Sequence, residues 1–282
     1  GIYMNNIIGA LIVSMAIGGT APINTNIDKN DYMPSIEANG TLVFGPTEAE
    51  KQEEAERLRR AEEARKAAEE AKRAEEERQR KEYEKNHPEL LNYDHDIASY
   101  TTYYSQSSGV ANRNHNMKLA CDAINGVIIK PGEEFSYNDT LLGKRDPQND
   151  YKPAGVISGG KMVNAIGGGI CQVSTTLFDA ALYSGMTITE RRNHSLKVGY
   201  VPAGMDATCS WGSIDFKFRN DLEIPVKIDT YMENGTMKIR FLSPSDPNLG
   251  KIELKVTQNG GVYTLKRYVD GVVDYTTNSR YR

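Results

Sequence analysis

Apolar positions in the second half of the chain follow two spacings in turn. In NMKLACDAINGVII, Met117, Leu119, Ala120, Ala123 and Ile124 recur at helical intervals, and Gly126 and Pro131-Gly132 then stop the run, with Asn116 as the natural N-cap. In QVSTTLFDAALYSG, Val173, Leu177, Ala180 and Ala181 share one side and Gly185 follows, which predicts a second helix opening at or near Cys171. The period then shortens to two. SIDFKFRN, PVKIDTYM, TMKIRFLS, KIELKVTQ, VYTLKRYV and VVDYTT alternate, with hairpin signals at Asn234-Gly235, Asn259-Gly260 and Asp270-Gly271. Helices followed by runs of strands predict an α+β domain, a few helices packed on an antiparallel β meander.

The first half has a different texture. IIGALIVSMAIG, residues 7–18, is an apolar run of signal-peptide length and shorter than the ~20 residues of a normal membrane span, so residues 1–21 read as a signal peptide or membrane anchor. Residues 22–46, rich in Gly, Pro, Asn and Thr without a period, read as a flexible linker. Residues 47–87 are nearly all helix formers, opened by a Thr47/Glu50 capping box and closed by Pro88, and about forty residues make a helix of roughly 60 Å. Glu and Lys/Arg stand three and four apart, and Ala55, Ala61, Ala64, Ala68 and Ala71, with only Leu58 larger, make too thin a stripe for a firm coiled coil. A solvated spacer is the expectation, with weak coiled-coil self-association as the alternative.

Charge and composition exclude more than they assign. A net charge of -4 over 282 residues points away from nucleic acid as partner. The three cysteines, Cys121, Cys171 and Cys209, form no CxxC, and His87, His95, His115 and His194 are scattered, so neither a metal nor another cofactor is expected.

Candidate chemistry centres on Cys171 in GGGICQVSTTLF. Only a thiolate is a nucleophile, and a helix amino terminus favours it through unsatisfied N–H groups and the helix dipole. Gly167, Gly168 and Gly169 carry no side chains to obstruct a substrate carbonyl, and local amides offer an oxyanion hole. His194 is the histidine downstream that can act as base, and Asp206, Asp215 or a backbone carbonyl is its candidate orienting group. On residue types alone, a buried structural thiol remains the competing reading.

NRNHN, PGEEFSYN, GGGICQVSTTL, RNHS and YVPAGMDAT occur in an order that resembles the VanW domain, over roughly residues 100–245. The resemblance implies a bacterial, extracytoplasmic cell-envelope protein, secreted or membrane-anchored, whose membrane contact is confined to its N-terminal segment. It implies a catalytic domain over 90–245, with the hairpins of 246–282 completing it, and peptidoglycan L,D-transpeptidase activity through a cysteine acyl-enzyme. The matching residues are Cys171 as nucleophile and His194 as base, with Arg191 in the same block; backbone donors at Gly169, Cys171 and Gln172 are candidates for the oxyanion hole, and Arg191, Ser174, Arg113 and His115 are candidates to face stem peptides, the alternatives being a solvated surface for Arg191, packing for Ser174 and helix capping for Arg113 and His115. Cys121 and Cys209 stand where the family has small or aliphatic residues, so both are expected to be noncatalytic, as buried thiols or a private disulfide. A cysteine carboxypeptidase or amidase on stem peptides, and a noncatalytic wall-binding scaffold, are the alternatives.

Overall fold

The computed structural model describes residues 35–36, 40, 42–43 and 45–282. The expected signal peptide or anchor, and most of the expected linker, lie outside the described residues. The chain divides into two compact units, residues 1–76 and 77–282.

In the first unit β1 (Ser35–Ile36) pairs antiparallel with β2 (Leu42–Val43), and α1 (Glu48–Asn86) follows. The capping box at its start is closed in both directions: the Thr47 amide donates to Glu50 at 2.7 Å and the Glu50 amide to the Thr47 hydroxyl at 3.2 Å. No residue of α1 is buried. Its side chains are tied instead along the surface by pairs such as Arg60–Glu56 and Arg73–Glu69, each contributing a few tenths of a kcal/mol. No described helix is long and apolar enough to cross a membrane.

The second unit is α+β. It contains β3 (His95–Tyr103), α2 (Ala111–Ile124), β4 (Ile128–Ile129), β5 (Glu134–Ser136), α3 (Tyr137–Lys144), the single turn α4 (Pro147–Asp150), β6 (Pro153–Ser158), β7 (Lys161–Ile166), α5 (Ile170–Tyr183), β8 (Thr187–Glu190) and β9 (Lys217–Arg219). The chain then runs through β10 (Val226–Glu233), β11 (Thr236–Ser243), β12 (Ile252–Asn259), β13 (Val262–Val269) and β14 (Val272–Arg280). All pairing is antiparallel, but the strands do not form one meander. They divide into sheets ordered β3-β11-β10-β4, β12-β13-β14 and β5-β9-β8, and a separate β6-β7 hairpin.

The turns follow the sequence signals. Asn234-Gly235 and Asp270-Gly271 both have positive φ, the two-residue geometry that matches strand twist. Between β12 and β13 the turn sits one residue later than the Asn259-Gly260 signal, on Gly260-Gly261. The first helix differs more, because α2 starts at Ala111 and Asn116 lies inside it, not at its cap. Asn116 is buried and its amide donates to the carbonyls of Lys152 (2.8 Å) and Gly168 (2.9 Å). A polar side chain that reads as a cap is here a tie between α2 and the turn leading into α5.

α5 is the centre of the unit. It packs on β3, β11 and α2, and all of its residues from Gln172 to Leu182 are buried. A helix apolar on one side only would leave its polar face in water. This one buries that face too and bonds it. Thr176 donates to the Gln172 carbonyl at 2.7 Å, and Ser174 and Thr175 donate to the Ala207 carbonyl at 2.7 and 3.1 Å. At its other end the buried Arg267 of β13 donates from one terminal nitrogen to the carbonyls of Leu182 (3.1 Å) and Met186 (2.8 Å), and from Nε and the other terminal nitrogen to the two Asp274 carboxylate oxygens, each at 2.9 Å. The β12-β13-β14 sheet is thereby joined to the helix that carries Cys171. Asp179 is the exception, since both carboxylate oxygens are buried without a partner and burial pushes its pKa well above the ordinary carboxylate range.

Candidate active site

The glycine triplet sets the start of α5. Gly167 and Gly169 have φ of 83° and 107°, a region L side chains rarely occupy. Each glycine also meets protein where a Cβ would stand. The nearest atoms would be the Trp211 ring at 2.7 Å from Gly167, the Ala154 carbonyl carbon at 2.5 Å from Gly168, and the Arg113 side chain and carbonyl at 2.8 and 2.9 Å from Gly169. Gly167 and Gly169 also line the cleft beside Cys171, so the triplet has a second task besides the expected one of leaving a path to the thiol. These glycines let three neighbouring segments press against the backbone, and that contact aims the helix.

Cys171 is the second residue of α5. Its sulfur lies 3.6 Å from Cys209 Sγ, 3.4 Å from the Cys209 carbonyl oxygen and 3.6 Å from Thr208 Oγ1. The Cys209 thiol, hydrogen-bonded to it, and then the neighbouring His194 hold Cys171 well below the ordinary thiol pKa against the opposing effect of burial. His194 faces it from the loop after β8 and is itself buried. Burial opposes the imidazolium, yet bonds to Asp206 and then to Cys171 raise its pKa to about 9. Both shifts favour a thiolate–imidazolium pair over two neutral groups.

Asp206 is the orienting group. Its Oδ2 accepts from both the His194 amide and the His194 Nδ1, each at 2.6 Å. That fixes the tautomer and leaves Nε2 as the ring nitrogen not held by Asp206. Burial opposes the Asp206 carboxylate, but the His194 ring and amide and the Tyr281 hydroxyl hold its pKa below the ordinary value. Asp215 serves elsewhere, accepting from Ser136 and from the Asn138 (2.9 Å) and Phe216 (2.8 Å) amides.

The loop carrying Asp206 and Cys209 is fastened to α5. Ser174 and Thr175 hold the Ala207 carbonyl, and the Ala207 amide donates to Thr175 at 3.0 Å. Ser174 was expected in the cleft. It is fully buried and does this fastening instead.

Arg191 is likewise corrected from a substrate contact to a support. Its Nε donates to the Asp206 carbonyl at 2.7 Å, its guanidinium stands 3.6 Å from the Asp206 carboxylate, and it lies over the Phe178 ring. His115 is also outside the cleft, its ring 3.0 Å from the Asp150 carbonyl. The Gln172 amide donates to the Gly169 carbonyl at 3.0 Å, which removes it from the oxyanion hole. Its side chain bonds Thr102 and the Tyr103 carbonyl and accepts from Arg113 at 2.5 Å.

Cys171, His194, Arg113 and Gly169 share one cleft of about 760 Å³. The β6-β7 hairpin forms one wall, the Arg192–Tyr200 loop another, and the Thr208–Trp211 segment with the start of α5 the floor. Arg282 ties the hairpin tip to the opposite wall, with its guanidinium on the Gly159 carbonyl (3.2 Å) and its amide on the Ser195 carbonyl (2.9 Å).

Three contributors were missed or set aside in the sequence. Cys209, expected to lie outside the site, touches Cys171, and the expected alternative of a Cys121–Cys209 disulfide is corrected by the 3.5 Å contact of Cys121 with Met237 in the core. Thr208, the last residue of the YVPAGMDAT motif, flanks the sulfur, a contact the motif does not announce. Tyr281, far along the chain, donates to Asp206 Oδ1 and accepts the Gly204 amide at 2.7 Å. Tyr281→Phe removes that donor from Asp206. It is expected to weaken the hold on the imidazolium and raise the apparent pKa of Cys171 by about one pH unit, the equivalent of one bond to a charged group. Iodoacetamide labelling of Cys171 against pH reads the shift, and an unchanged profile would remove Tyr281 from the relay.

Comparison with known proteins identifies relatives of the chain. The sequence model of the family described as VanW like protein matches residues 112–242. The chain is 39% identical over 163 residues to the uncharacterized protein YoaR of Bacillus subtilis, covering 57% of this chain and 53% of that protein, about half its length. It is 33% identical over 196 residues to the vancomycin B-type resistance protein VanW of Enterococcus faecalis, covering 64% of this chain and 69% of that protein. No solved structure matches the chain. With 69% of that relative covered at 33% identity, and the Cys171–His194–Asp206 constellation inside the matched segment, the chain belongs to the VanW family.

Proposed function

We propose that the chain is a cysteine acyl-transfer enzyme of the bacterial cell envelope, a peptidoglycan L,D-transpeptidase that forms 3-3 cross-links. The observation that carries the reading is a thiol at a helix start, lowered in pKa, facing a histidine whose other nitrogen is held by a buried aspartate. The vancomycin B-type resistance protein among the relatives is in keeping with cell-wall chemistry.

In this reading the Cys171 thiolate attacks the carbonyl of the third residue of a tetrapeptide stem. The first-turn amides of Gly169 and Cys171 receive the developing oxyanion. His194 arrives already protonated, so it serves first as acid and gives its proton to the departing D-amino acid. Neutral His194 then takes a proton from an acceptor amine, which attacks the thioester and returns Cys171 as thiolate. Arg113 on the cleft wall is the cation for a stem-peptide carboxylate.

Incubating the full chain with disaccharide-tetrapeptide muropeptides and weighing the products tests the reading. A 3-3 linked dimer supports transfer to an amine. A tripeptide alone replaces it with a carboxypeptidase. No product from the native chain, or equal product from Cys171→Ala, overturns enzymatic function and leaves a wall-binding scaffold.

A further inference from the structure

The three cysteines are unequal. Cys121 is sealed in the core, its sulfur against Met237 and its pKa pushed to about 12 by burial. Cys171 and Cys209 are both free thiols, and their sulfurs are 3.6 Å apart. A disulfide needs about 2.05 Å, so closing it asks for a movement of roughly 1.5 Å shared between two side chains.

The two backbones are already held together. Ser174 and Thr175, in the turn after Cys171, grip the carbonyl and amide of Ala207, two residues before Cys209, and the Thr208 amide donates to the Arg192 carbonyl at 2.8 Å. No segment has to rearrange for the sulfurs to meet. Cys171 also opens on the cleft, so a small oxidant reaches it.

We propose that Cys209 is a resolving thiol: when a peroxide oxidises Cys171, Cys209 captures it as an intrachain disulfide that takes the nucleophile out of use and protects it.

The chemistry balances. The Cys171 thiolate gives an electron pair to the near oxygen of the peroxide. An S–O bond forms, the O–O bond breaks, and the leaving hydroxide takes the His194 proton to become water. The product is a sulfenic acid. Cys209 then attacks that sulfur, the S–S bond forms, the S–O bond breaks, and the second hydroxide leaves as water with the Cys209 proton. In sum, two thiols and one hydrogen peroxide give one disulfide and two waters, and a dithiol reductant restores both thiols.

Cys209 suits the resolving role and not the attacking one. Its hydrogen bond to Cys171, and then burial, raise its pKa well above the ordinary thiol value, so it rests as S–H. Oxidant therefore meets the Cys171 thiolate first. Without a neighbour to trap it, a sulfenic acid can proceed to sulfinic acid, which dithiols do not reverse.

The test is independent of the acyl-transfer reading, since it measures only sulfur chemistry. The full chain is treated with equimolar hydrogen peroxide, digested without reduction, and mapped by mass. The expected result is one linked pair of peptides containing Cys171 and Cys209, with Cys121 still alkylatable after unfolding and Cys171 labelling restored by dithiothreitol. Under about a tenfold molar excess of hydrogen peroxide, enough for the second oxidation, Cys209→Ser and Cys209→Ala are each expected to accumulate Cys171 sulfinic acid and to recover less than a tenth of the labelling that the native chain recovers. The mapping of the native chain stands even if both variants fold poorly. A native digest showing Cys171 sulfinic acid with no linked peptide, a disulfide to Cys121, or full recovery in folded Cys209 variants overturns the proposal.

Discussion

Asp206→Asn is expected to lower kcat/KM for acyl transfer by about 10⁴-fold, the loss that follows in serine triads when the orienting carboxylate becomes an amide. Here one oxygen, Oδ2, accepts from both the amide and the ring nitrogen of His194, while Tyr281 donates to the other oxygen and itself accepts from Gly204. An asparagine must put its NH₂ at one of these positions. Facing His194, it sets a donor against two donors and selects the wrong tautomer. Facing Tyr281, it asks for an acceptor that the Gly204 amide already uses. In either orientation the imidazolium loses its counter-charge. The His194 pKa then falls from about 9 and that of Cys171 rises, so the thiolate–imidazolium pair is less favoured. Initial rates over a pH series, with melting curves to confirm folding, check this. A variant retaining a tenth of the native rate with an unchanged pH profile would mean that Asp206 does not orient His194.

The second large effect concerns folding. Gly169→Ala is expected to destabilise the chain by about 3 kcal/mol or more, since it combines a left-handed backbone with overpacking. The new Cβ would stand 2.8 Å from the Arg113 side chain and 2.9 Å from the Arg113 carbonyl, at a φ of 107°. The carbonyl belongs to α2, which is pinned by Asn116 to Lys152 and Gly168, so it cannot yield cheaply. Gly168→Ala meets the Ala154 carbonyl in the same way, at 2.5 Å. Gly126→Ala is the control, because its φ is 75° but no atom lies within 4 Å of the added carbon. It is expected to cost about 1 to 2 kcal/mol, the left-handed strain alone. Thermal melting that ranks Gly169→Ala no lower than Gly126→Ala would refute the packing role.

The same comparison shows what the triplet does not reveal when it is read alone. Three glycines before a cysteine suggest open space for a substrate, but glycine equally marks places where backbone approaches backbone, and the two uses leave one signature. Ser174 and Arg191 misled for a related reason. A hydroxyl beside a nucleophile and an arginine beside its histidine look like substrate contacts, yet each holds the loop bearing Asp206. Buried polar groups require partners, and the partners come from distant parts of the chain.

Several features needed only the sequence. Helical spacing and Gly185 located α5, and its start located Cys171, because helix periodicity and termination are local properties. The Asn-Gly and Asp-Gly turns located two hairpins because the turn geometry demands positive φ from those residues. The Thr47/Glu50 box located the start of α1 by the same local logic. The ordered motifs identified the family and, with it, Cys171 and His194. The tertiary structure alone decided which aspartate orients the histidine, that Cys209 touches the nucleophile, that the alternating strands divide among separate sheets, and that Tyr281 reaches back to the site. The side-chain pairings among these join residues from 12 to 75 positions apart, and no local propensity specifies them. They are set by how α5 and the sheets bury their apolar surface, and polar partners are chosen from whatever that packing brings within reach.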